Sequence, residues 1–527
     1  MLTPFGMLPN RLASRMSMAE QYEWLLRQRL SRRTLLRGAG VAGASSLLLW
    51  AQPDGATADP SRVYGRHLAY GADPTTQMIV GFASRSPVRH ATVHLDDGRT
   101  ASAEIKTVAG SVGYYLRAQF DGLRPGTEYA YTLELDGRRV PGARFHTAPA
   151  GRTSFRFTAF GDQSVTTDAV QTLTQLARAR PMFHLLAGDL CYADGSGRGG
   201  PGDIFHPARW DAWLAQNDPV TSAMPWMIVP GNHEMEPGFG MHGYAGMLSR
   251  VAIGGRSPLA IPVATSFRIG SVGFVGLDSN DVANEFPANR GWTRSRQTAW
   301  LEQQLADYRA SRDIDFVVVF LHSSPYCSSP AHASEAGIRD HWVPLFDKYT
   351  VDLVISGHNH CYQRALPLRH GAVVSNDVHV VNGVAATTYV TVGGGGARVA
   401  GLMFGHSRSY ARLVTAQGSV QERVPWDSGP SALDYCVLVV DVTPGSAGAR
   451  AQLRVRAISN KGAVLDDWQI VRHPVAGGSW LWPDGAAALG GLAAVGLAGT
   501  AVAVQRARKA APPAAGGSAP GGGSVTT

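Results

Sequence analysis

The chain has 527 residues, of which 44% are hydrophobic and 17% are charged, and its formal net charge is +8. This apolar fraction excludes a wholly disordered chain, and the length corresponds to about three domains. The positive charge lies at the ends, since residues 1–58 carry a net charge of +4 and residues 505–527 a net charge of +3. The basic composition therefore does not indicate a nucleic-acid partner, and none is expected.

Residues 1–58 have the pattern of an export signal. The segment Ser31–Arg37 contains a pair of arginines and is followed by a mostly apolar stretch, Gly38 to Trp50. The small residues Ala56–Ala58 then resemble a cleavage site. We expect a twin-arginine signal peptide, which would place the mature protein outside the cytoplasmic membrane, secreted or anchored at the cell surface. A chance arginine pair on an amphipathic helix is the alternative.

Residues 59–150 alternate short β-type runs with turns. The runs include Gln77–Phe82, Ala91–Leu95 and Tyr114–Ala118, and Asp97–Gly98 and Asp136–Gly137 are hairpin turn signals. The stretch Leu123–Tyr131 places a Pro-Gly turn before alternating aromatic residues, which is the pattern of a tyrosine corner. We predict a β-sandwich of the fibronectin type III kind with a structural role.

Residues 151–475 alternate short apolar runs with helical stretches, which predicts an α/β domain. Val170, Leu173 and Leu176 share one helical face, and a second helix includes Glu302–Arg309. Strand patterns return after residue 365, and we expect them to complete the sheet and cap the site. These later runs are Val378–Val381, Tyr389–Val392, Cys436–Val440 and Gln452–Arg456.

Five of the apolar runs end in a polar turn that carries side chains suited to metal binding. Because functional groups gather at the carboxyl ends of strands in α/β sheets, we expect these turns to meet in one cleft. Each motif is weak alone, but five in order indicate a catalytic centre. The runs and their turns are Phe155–Phe160 with Asp162, His184–Ala187 with Asp189 and Tyr192, Trp226–Val229 with Asn232 and His233, Phe316–Leu321 with His322, and Val351–Ser356 with His358 and His360.

These residue types suit two metal ions a few ångströms apart, which can clamp a phosphate and activate a water for in-line displacement. One carboxylate must touch both ions, and neutral histidine and asparagine complete the shell without excess charge. A tyrosine phenolate favours Fe(III) at its own ion, and the site of histidine and asparagine would accept Fe(II), Zn or Mn.

In these motifs the sequence resembles the purple acid phosphatases of the metallophosphoesterase superfamily, in an exported bacterial form. The resemblance covers most of residues 62–475, including the connecting segments Arg209–Trp213 and Gln297–Glu302. It implies a calcineurin-like α/β/β/α sandwich after the fibronectin type III-like domain. It also implies a phosphoester hydrolase, most closely an acid-phosphatase-like phosphomonoesterase, with a dinuclear centre of Fe(III) plus Fe(II), Zn or Mn and a metal-activated hydroxide.

Carried over to this chain, the resemblance implies seven metal ligands and two residues that assist the reaction. Of the ligands, Asp162, Tyr192 and His360 would bind the first ion, Asn232, His322 and His358 the second, and Asp189 would bridge them. His233 would hydrogen-bond the phosphate and, together with His332, help to protonate the leaving group. Plant-type members carry a histidine pair after the fourth motif, and here Ala331 takes the first of those two places. One acid is thus absent, which leaves the acidic pH optimum and the monoester preference open.

Three further features carry less weight. Gly393–Gly396 follows a strand, but no Lys-Ser/Thr pair comes after it, so we predict a tight turn at the rim of the site instead of a phosphate loop. Asp278 is expected to be structural. The four cysteines could pair in an exported protein or remain thiols near the metals, and their spacing leaves both open. They are Cys191, Cys327, Cys361 and Cys436.

Residues 476–527 are expected to hold a membrane anchor and a disordered tail. Gly485–Val504 contains no charge and is long enough to span a bilayer, and the basic cluster Gln505–Lys509 follows it. The segment is mostly Ala and Gly, so a flexible linker is the alternative.

Two other functions remain open. A phosphodiesterase or nucleotide-cleaving enzyme on the same scaffold would suit the Gly-rich stretch Gly195–Gly202 beside the second motif, which could admit a larger substrate. A surface binding protein that keeps the metals without turnover is the more remote alternative. The expected partner is a small-molecule phosphoester, and the sequence does not determine the oligomeric state.

Overall fold

A computed structural model describes residues 2–3, 6–7 and 63–472, apart from 109–110, 112, 199–204, 237–242, 259–260, 330–331, 333, 400–409, 424–429 and 447. Two short strands at the start of the chain, β1 (Leu2–Thr3) and β2 (Gly6–Met7), pair antiparallel. The predicted arginine pair, cleavage site, membrane anchor and tail lie outside the described residues. Within the described part of the chain, no helix combines the length and the apolar character that a membrane crossing requires.

Residues 63–146 form two four-stranded antiparallel sheets, which we call the β-sandwich. Its strands are β3 (Val63–Tyr70), β4 (Met78–Ser84), β5 (Ala91–Leu95), β6 (Thr100–Ser102), β7 (Glu104–Thr107), β8 (Tyr114–Phe120), β9 (Glu128–Leu135) and β10 (Arg138–His146). The sheet orders are β3-β4-β8-β7 and β10-β9-β5-β6. In β9, buried residues alternate with more exposed ones, as expected for a strand with one face on the core. The Tyr129 hydroxyl accepts a hydrogen bond from the Arg124 backbone N–H at 2.9 Å, which is the contact of a tyrosine corner. The fibronectin type III assignment stays a prediction.

The remaining strands lie after residue 154 and form two seven-stranded mixed sheets and two small ladders. They are β11 (Phe155–Phe160), β12 (Phe183–Ala187), β13 (Trp226–Val229), β14 (Thr265–Ile269), β15 (Val272–Leu277), β16 (Phe316–Leu321), β17 (Ser334–Glu335), β18 (Leu353–Ser356), β19 (Tyr362–Arg364), β20 (Leu368–Arg369), β21 (Ala372–Val373), β22 (Val380–Asn382), β23 (Thr388–Val392), β24 (Tyr410–Thr415), β25 (Gly418–Arg423), β26 (Ser431–Ala432), β27 (Cys436–Thr443), β28 (Ala451–Ser459) and β29 (Val464–Arg472). The first large sheet has the order β13-β12-β11-β27-β28-β29-β22 and the second β14-β15-β16-β18-β23-β19-β26. We expected the late strands to complete a single sheet. This expectation is wrong, because these strands are divided between the two large sheets.

The described helices are α1 (Thr167–Ala179), α2 (Ala208–Thr221), α3 (Ala245–Arg250), α4 (Arg296–Ala310), α5 (Ala336–His341) and α6 (Val343–Lys348). Helix α1 begins after Thr166, whose side chain accepts a hydrogen bond from the Ala169 N–H, and it ends at Arg180 in a left-handed conformation. Its buried residues include Leu173 and Leu176 of the predicted face. The second predicted helix lies within α4, which begins six residues earlier.

The two large sheets are joined by a shared aromatic core. The rings of Phe157 and Phe183 from the first sheet stack at 5.5 Å, and the ring of Phe274 from the second sheet meets each of them edge-on at 5.3–5.4 Å. Such pairs add about 0.5–1.5 kcal/mol each to the burial of their apolar area. The two sheets therefore pack against each other through buried aromatic side chains.

All five predicted ligand-bearing runs are strands that end at the same edge of this arrangement. Strands β11, β12 and β13 are parallel neighbours in the first sheet, and β16 and β18 are parallel neighbours in the second. Because parallel strands present their carboxyl ends on one side, the turns that follow them converge. Four of the five runs have the predicted bounds to within one residue, and β18 begins two residues later than predicted.

Helix α2 forms one of the contacts between the β-sandwich and the rest of the chain. The Asp211 carboxylate on α2 accepts hydrogen bonds from the Tyr64 and Tyr115 hydroxyls at 2.7 Å each. Farther along α2, the guanidinium of Arg66 pairs with the Asp218 carboxylate at 2.8 Å. Charged groups at this contact thus have partners supplied by the chain itself.

Candidate metal centre

Four of the predicted ligands lie in strained backbone turns. Asp162, Asp189, Tyr192 and His358 have φ values of 61°, 54°, 57° and 67°. A non-glycine residue in this left-handed region costs on the order of 1 kcal/mol or more, and such residues cluster at functional sites. The surrounding packing must therefore hold these turns in place.

Glycines let the turns approach one another closely. Gly188 has a φ of 79°, and a Cβ added to it would lie 2.6 Å from both the Gly231 nitrogen and the Nδ1 atom of His322. A Cβ on Gly161 or on Gly357 would lie 2.8 Å from the carbonyl oxygen of Ala187. Larger residues at these positions would push the turns apart, because real Cβ atoms do not approach other atoms so closely.

The three ligands predicted for the first ion meet at their polar atoms. The Tyr192 hydroxyl lies 2.9 Å from Nε2 of His360 and 3.2 Å from Oδ1 of Asp162. The Nε2 atom of His360 also lies 3.2 Å from Oδ1 of Asp162. All three side chains are buried.

The ligands predicted for the second ion converge on Nε2 of His322. This atom lies 3.0 Å from Oδ1 of Asn232 and 3.2 Å from Nδ1 of His358. It also lies 3.2 Å from Oδ1 of Asp189, the predicted bridging residue.

Asp189 belongs to both groups. Ligand atoms of Asp162, Asp189 and His360 all lie within 4.8 Å of one another, and the same holds for Asp189, His322 and His358. Asp189 is therefore placed between two sets of donors, where one carboxylate can contact two cations. The structure brings all seven predicted ligands together, and their roles as ligands remain predictions.

Backbone carbonyls orient two of the histidines. Nδ1 of His322 lies 2.8 Å from the Ala187 oxygen, and Nδ1 of His360 lies 2.8 Å from the Arg398 oxygen. A ring that donates its Nδ1–H to a carbonyl keeps the lone pair on Nε2, so both rings direct this atom toward the centre.

Electrostatics support the binding of cations at this cluster. Burial and the carboxylates of Asp162 and Asp189 raise the pKa of Tyr192 well above its ordinary value. Burial lowers the pKa of His322, but the Asp189 and Asp162 carboxylates outweigh it and raise this pKa to about 10. The cluster thus has a negative field, and a phenolate at Tyr192 requires a bound cation to stabilise it. The donor set of carboxylates, phenol, amide and imidazoles fits a pair of metal ions.

His233 lies at the edge of the cluster. Its Nδ1 atom lies 2.7 Å from the Asp194 carbonyl oxygen, and its Nε2 atom lies 3.9 Å from Oδ2 of Asp189. Its ring is 4.3 Å from the Tyr192 ring. Burial lowers the pKa of His233. The side chain remains partly exposed, so it can contact both the centre and a bound substrate.

His332 is half-buried and close to the second-ion ligands. Its ring lies 4.0 Å from the ring of His358, and its Nδ1 atom lies 3.2 Å from Oε1 of Glu285. The other oxygen of Glu285 lies 3.1 Å from Nε2 of His358. The sequence motifs did not identify Glu285, because it lies in the loop between β15 and α4, outside the five ligand-bearing turns.

Glu234 is a second residue that the motifs did not reveal, although it directly follows His233. Its carboxylate accepts hydrogen bonds from the backbone N–H groups of Asp189, Leu190 and Gly231 at 2.7–2.9 Å. Burial and the nearby Asp189 carboxylate raise the pKa of Glu234 to about 8. Glu234 therefore joins the second and third motif turns.

The less specific features also have defined places. A Cβ on Gly393 would lie 2.8 Å from Oδ2 of Asp162, so the Gly393–Gly396 turn packs directly on the first-ion ligands. The Asp278 carboxylate accepts hydrogen bonds from Tyr244 and Trp292, in agreement with a structural role. All four cysteines are buried free thiols, namely Cys191, Cys327, Cys361 and Cys436.

Comparisons with known proteins agree with this fold and site. Residues 155–362 match the family model of calcineurin-like phosphoesterases. An uncharacterised protein of Mycobacterium tuberculosis is 30% identical over 484 residues, which cover 79% of this chain and 89% of that relative. Purple acid phosphatase 23 of Arabidopsis thaliana is 30% identical over 269 residues, which cover 46% of this chain and 56% of that relative.

A solved structure shows the same fold. The purple acid phosphatase from seeds of yellow lupin, Lupinus luteus, has a TM-score of 0.62 at 20% sequence identity, over 78% of this chain and 75% of that chain. Fold and site together define a calcineurin-like metallophosphoesterase. The chain belongs to this family, on its purple acid phosphatase branch, and is a phosphoesterase. The predicted family, fold class and enzyme class are thus confirmed.

Proposed function

We propose that the protein is a phosphomonoesterase of the acid phosphatase kind that works with two metal ions, Fe(III) plus Fe(II), Zn or Mn. The observation that carries this proposal is the position of Asp189 between two groups of donor atoms. A carboxylate shared by two such groups is suited to a dinuclear centre and has no evident purpose in a single-ion site. The donor types favour Fe(III) on the tyrosine side and a divalent ion on the asparagine side.

Bound ions would supply the positive charge that stabilises the phosphate oxygens in the transition state and would acidify the attacking water. The chain's own residues hold and orient the substrate. Nδ1 of His233 is fixed by the Asp194 carbonyl, so Nε2 is the atom available to hydrogen-bond a phosphate oxygen or to give a proton to the leaving alcohol. His332, whose ring lies 4.0 Å from the ring of His358, would contact the leaving group.

A phosphodiesterase is the second candidate, and the position of Glu285 favours it. This carboxylate lies 3.2 Å from His332, the histidine that we expect to contact the ester group. A dianionic monoester is repelled by such a charge more strongly than a monoanionic diester. A single histidine next to a carboxylate therefore weakens the preference for monoesters.

The test compares p-nitrophenyl phosphate and bis(p-nitrophenyl) phosphate as substrates of the full chain reconstituted with iron plus zinc or manganese. Faster turnover of the monoester, abolished by a chelator, is the expected result. A clear preference for the diester would replace the first candidate with the second and keep the ligand set. Two bound ions without turnover of either compound would favour a binding protein and contradict both.

We also propose that the protein is exported by the twin-arginine route and tethered through residues 485–504. The support is the arginine pair with its apolar stretch and the uncharged C-terminal segment. Replacing Arg32 and Arg33 by lysines should retain the protein in the cytoplasm, and ending the chain at residue 475 should release it from the membrane fraction. Unchanged fractionation of either variant would contradict the corresponding step.

A further inference from the structure

One carboxylate joins two histidines that come from different motifs. Oε2 of Glu285 lies 3.1 Å from Nε2 of His358, and Oε1 lies 3.2 Å from Nδ1 of His332. The two imidazole rings are themselves 4.0 Å apart. Glu285 therefore contacts at the same time a residue of the predicted second-ion site and a residue that we expect to contact the substrate.

The two ring nitrogens of His358 face different neighbours. Nδ1 is directed toward His322 and the cluster that includes Asp189, whereas Nε2 is directed toward Glu285. A histidine that binds a metal through one nitrogen commonly donates the other N–H to a carboxylate, which fixes its tautomer and orientation and makes it a stronger ligand. The surroundings of His358 have this arrangement.

The loop that carries Glu285 is itself held in place. The buried Glu335 carboxylate accepts hydrogen bonds from the backbone N–H groups of Asn284, Glu285 and Gly337 at 2.8–3.1 Å. The ring of Phe286 also meets the His358 ring edge-on at 5.3 Å. These contacts leave Glu285 little freedom, so its position is defined by the fold.

We propose that Glu285 is a positioning residue that orients His358 toward the second metal ion and His332 toward the substrate. This inference rests on the proposed function for the identity of the pocket, but its metal-binding part stands on geometry alone. Metal binding and substrate placement are then coupled, because one carboxylate restrains both rings. Glu335 supports this arrangement because its hydrogen bonds hold the loop that carries Glu285.

The ligand atoms of Glu285, His332 and His358 also lie within 4.8 Å of one another, so these side chains could hold a third ion. Such an ion would require His358 to give up its ring proton and to bind metals through both nitrogens. A hydrogen bond to the carboxylate needs no such loss, so we assign Glu285 to orientation. A stoichiometry of three ions per chain would overturn this assignment.

The experiment measures metal affinity by competition with a chromogenic chelator in wild type, Glu285→Gln and the control Glu302→Gln. Glu302 is an exposed glutamate on α4 that pairs with Lys348, and its replacement should leave the metal affinity unchanged. Glu285→Gln should weaken the affinity for one of the two ions by about 10–100-fold and leave the other unchanged. Equal affinities in all three proteins would overturn the proposal.

A second readout separates orientation from general stability. At saturating metal, Glu285→Gln should lower kcat more than it raises KM, because His332 loses its partner, and this loss of kcat should disappear in a His332→Ala background while the loss of metal affinity remains. An equal loss of kcat in both backgrounds would contradict the link to His332. If Glu285→Gln does not fold, Glu335→Gln provides the test, with a smaller loss of affinity for the same ion expected and no loss overturning the proposal.

Metal affinity does not depend on turnover, so the two proposals can fail separately. Wild-type protein that binds two ions and hydrolyses no phosphoester would contradict the proposed function alone. Active wild-type protein with unchanged metal affinity in Glu285→Gln would contradict the positioning role alone.

Discussion

The metal centre and the contact between the β-sandwich and α2 both bury charged groups, yet they balance these charges differently. At the contact, the Asp211 carboxylate accepts hydrogen bonds from two tyrosine hydroxyls, and the Asp218 carboxylate forms an ion pair with Arg66. At the centre, donor atoms of two carboxylates and three histidines crowd within a few ångströms, and several of their turns are strained. Both carboxylates of the contact thus have partners within the chain, whereas the donor set of the centre is suited to bound metal cations.

The substitution with the largest expected effect disrupts the metal centre and leaves the contact between the β-sandwich and α2 intact. Asp189→Asn removes the shared negative charge, so we expect loss of metal loading and a fall in turnover of roughly 10³-fold. Metal content by atomic emission and the rate on p-nitrophenyl phosphate measure this, and Asp307→Asn on the surface of α4 is the control.

Added ions should raise the melting temperature of the wild type, whereas the melting temperature of Asp189→Asn should be the same with and without them. Retention of two ions and of activity in Asp189→Asn would refute the site assignment.

Acidification should weaken a second contact of the β-sandwich, which joins His67 on β3 to Ala252 after α3. Nε2 of His67 accepts a hydrogen bond from the Ala252 N–H at 3.0 Å, and Nδ1 lies 2.7 Å from the Gly65 oxygen, so the ring is neutral. Burial lowers the pKa of His67 to about 4. The unfolded chain therefore binds more protons between pH 6.5 and 4, and this group's contribution of about 3 kcal/mol is lost as the pH falls through that window.

Urea unfolding of the metal-free protein at pH 7 and pH 4.5 tests this expectation. His67→Gln should lose less stability between the two pH values than the wild type does. An identical pH dependence of the two proteins would show that His67 does not contribute.

A smaller effect is expected from the tyrosine pair. Asp211→Ala leaves the Tyr64 and Tyr115 hydroxyls without their acceptor and should cost about 2 kcal/mol of unfolding free energy. Asp211→Asn keeps an acceptor oxygen and should cost less. Metal affinity should be unchanged in both variants, and a parallel loss of metal would show that the contact and the centre are not independent.

The smallest effect is expected at the surface pair of Lys348 and Glu302. Both side chains are largely exposed, and their ion pair at 2.6 Å should contribute no more than about 0.5 kcal/mol. Thermal unfolding of Glu302→Gln at low and high salt measures it. A larger loss of stability that decreases at high salt would show that this exposed ion pair contributes more than we expect.

The sequence predicted the centre better than the contact for a physical reason. A strand that ends in a ligand-bearing turn leaves a local pattern, so Asp162, Asp189 and His358 were recognisable from a few neighbouring residues. Asp211 and Tyr64 are 147 positions apart, and nothing near either residue indicates the other.

The distinction between local patterns and contacts made only by the fold also explains the other differences between prediction and structure. Glu285 was missed because its importance depends on a fold that brings a loop against His332 and His358. The late strands were recognised as strands, but buried strands such as β23 and β27 have similar apolar runs, so the sequence did not indicate that they lie in different sheets.

The left-handed turns restrict how the metal selectivity of this protein could be redesigned. Positions 162, 189 and 358 require a residue that tolerates positive φ, and aspartate, asparagine and histidine do so more readily than cysteine or glutamate. Among the described residues, His322, His360 and Asn232 are not in that conformation. A softer ligand such as cysteine is therefore less costly to introduce at these three positions, and the backbone alone limits which ligands can be exchanged.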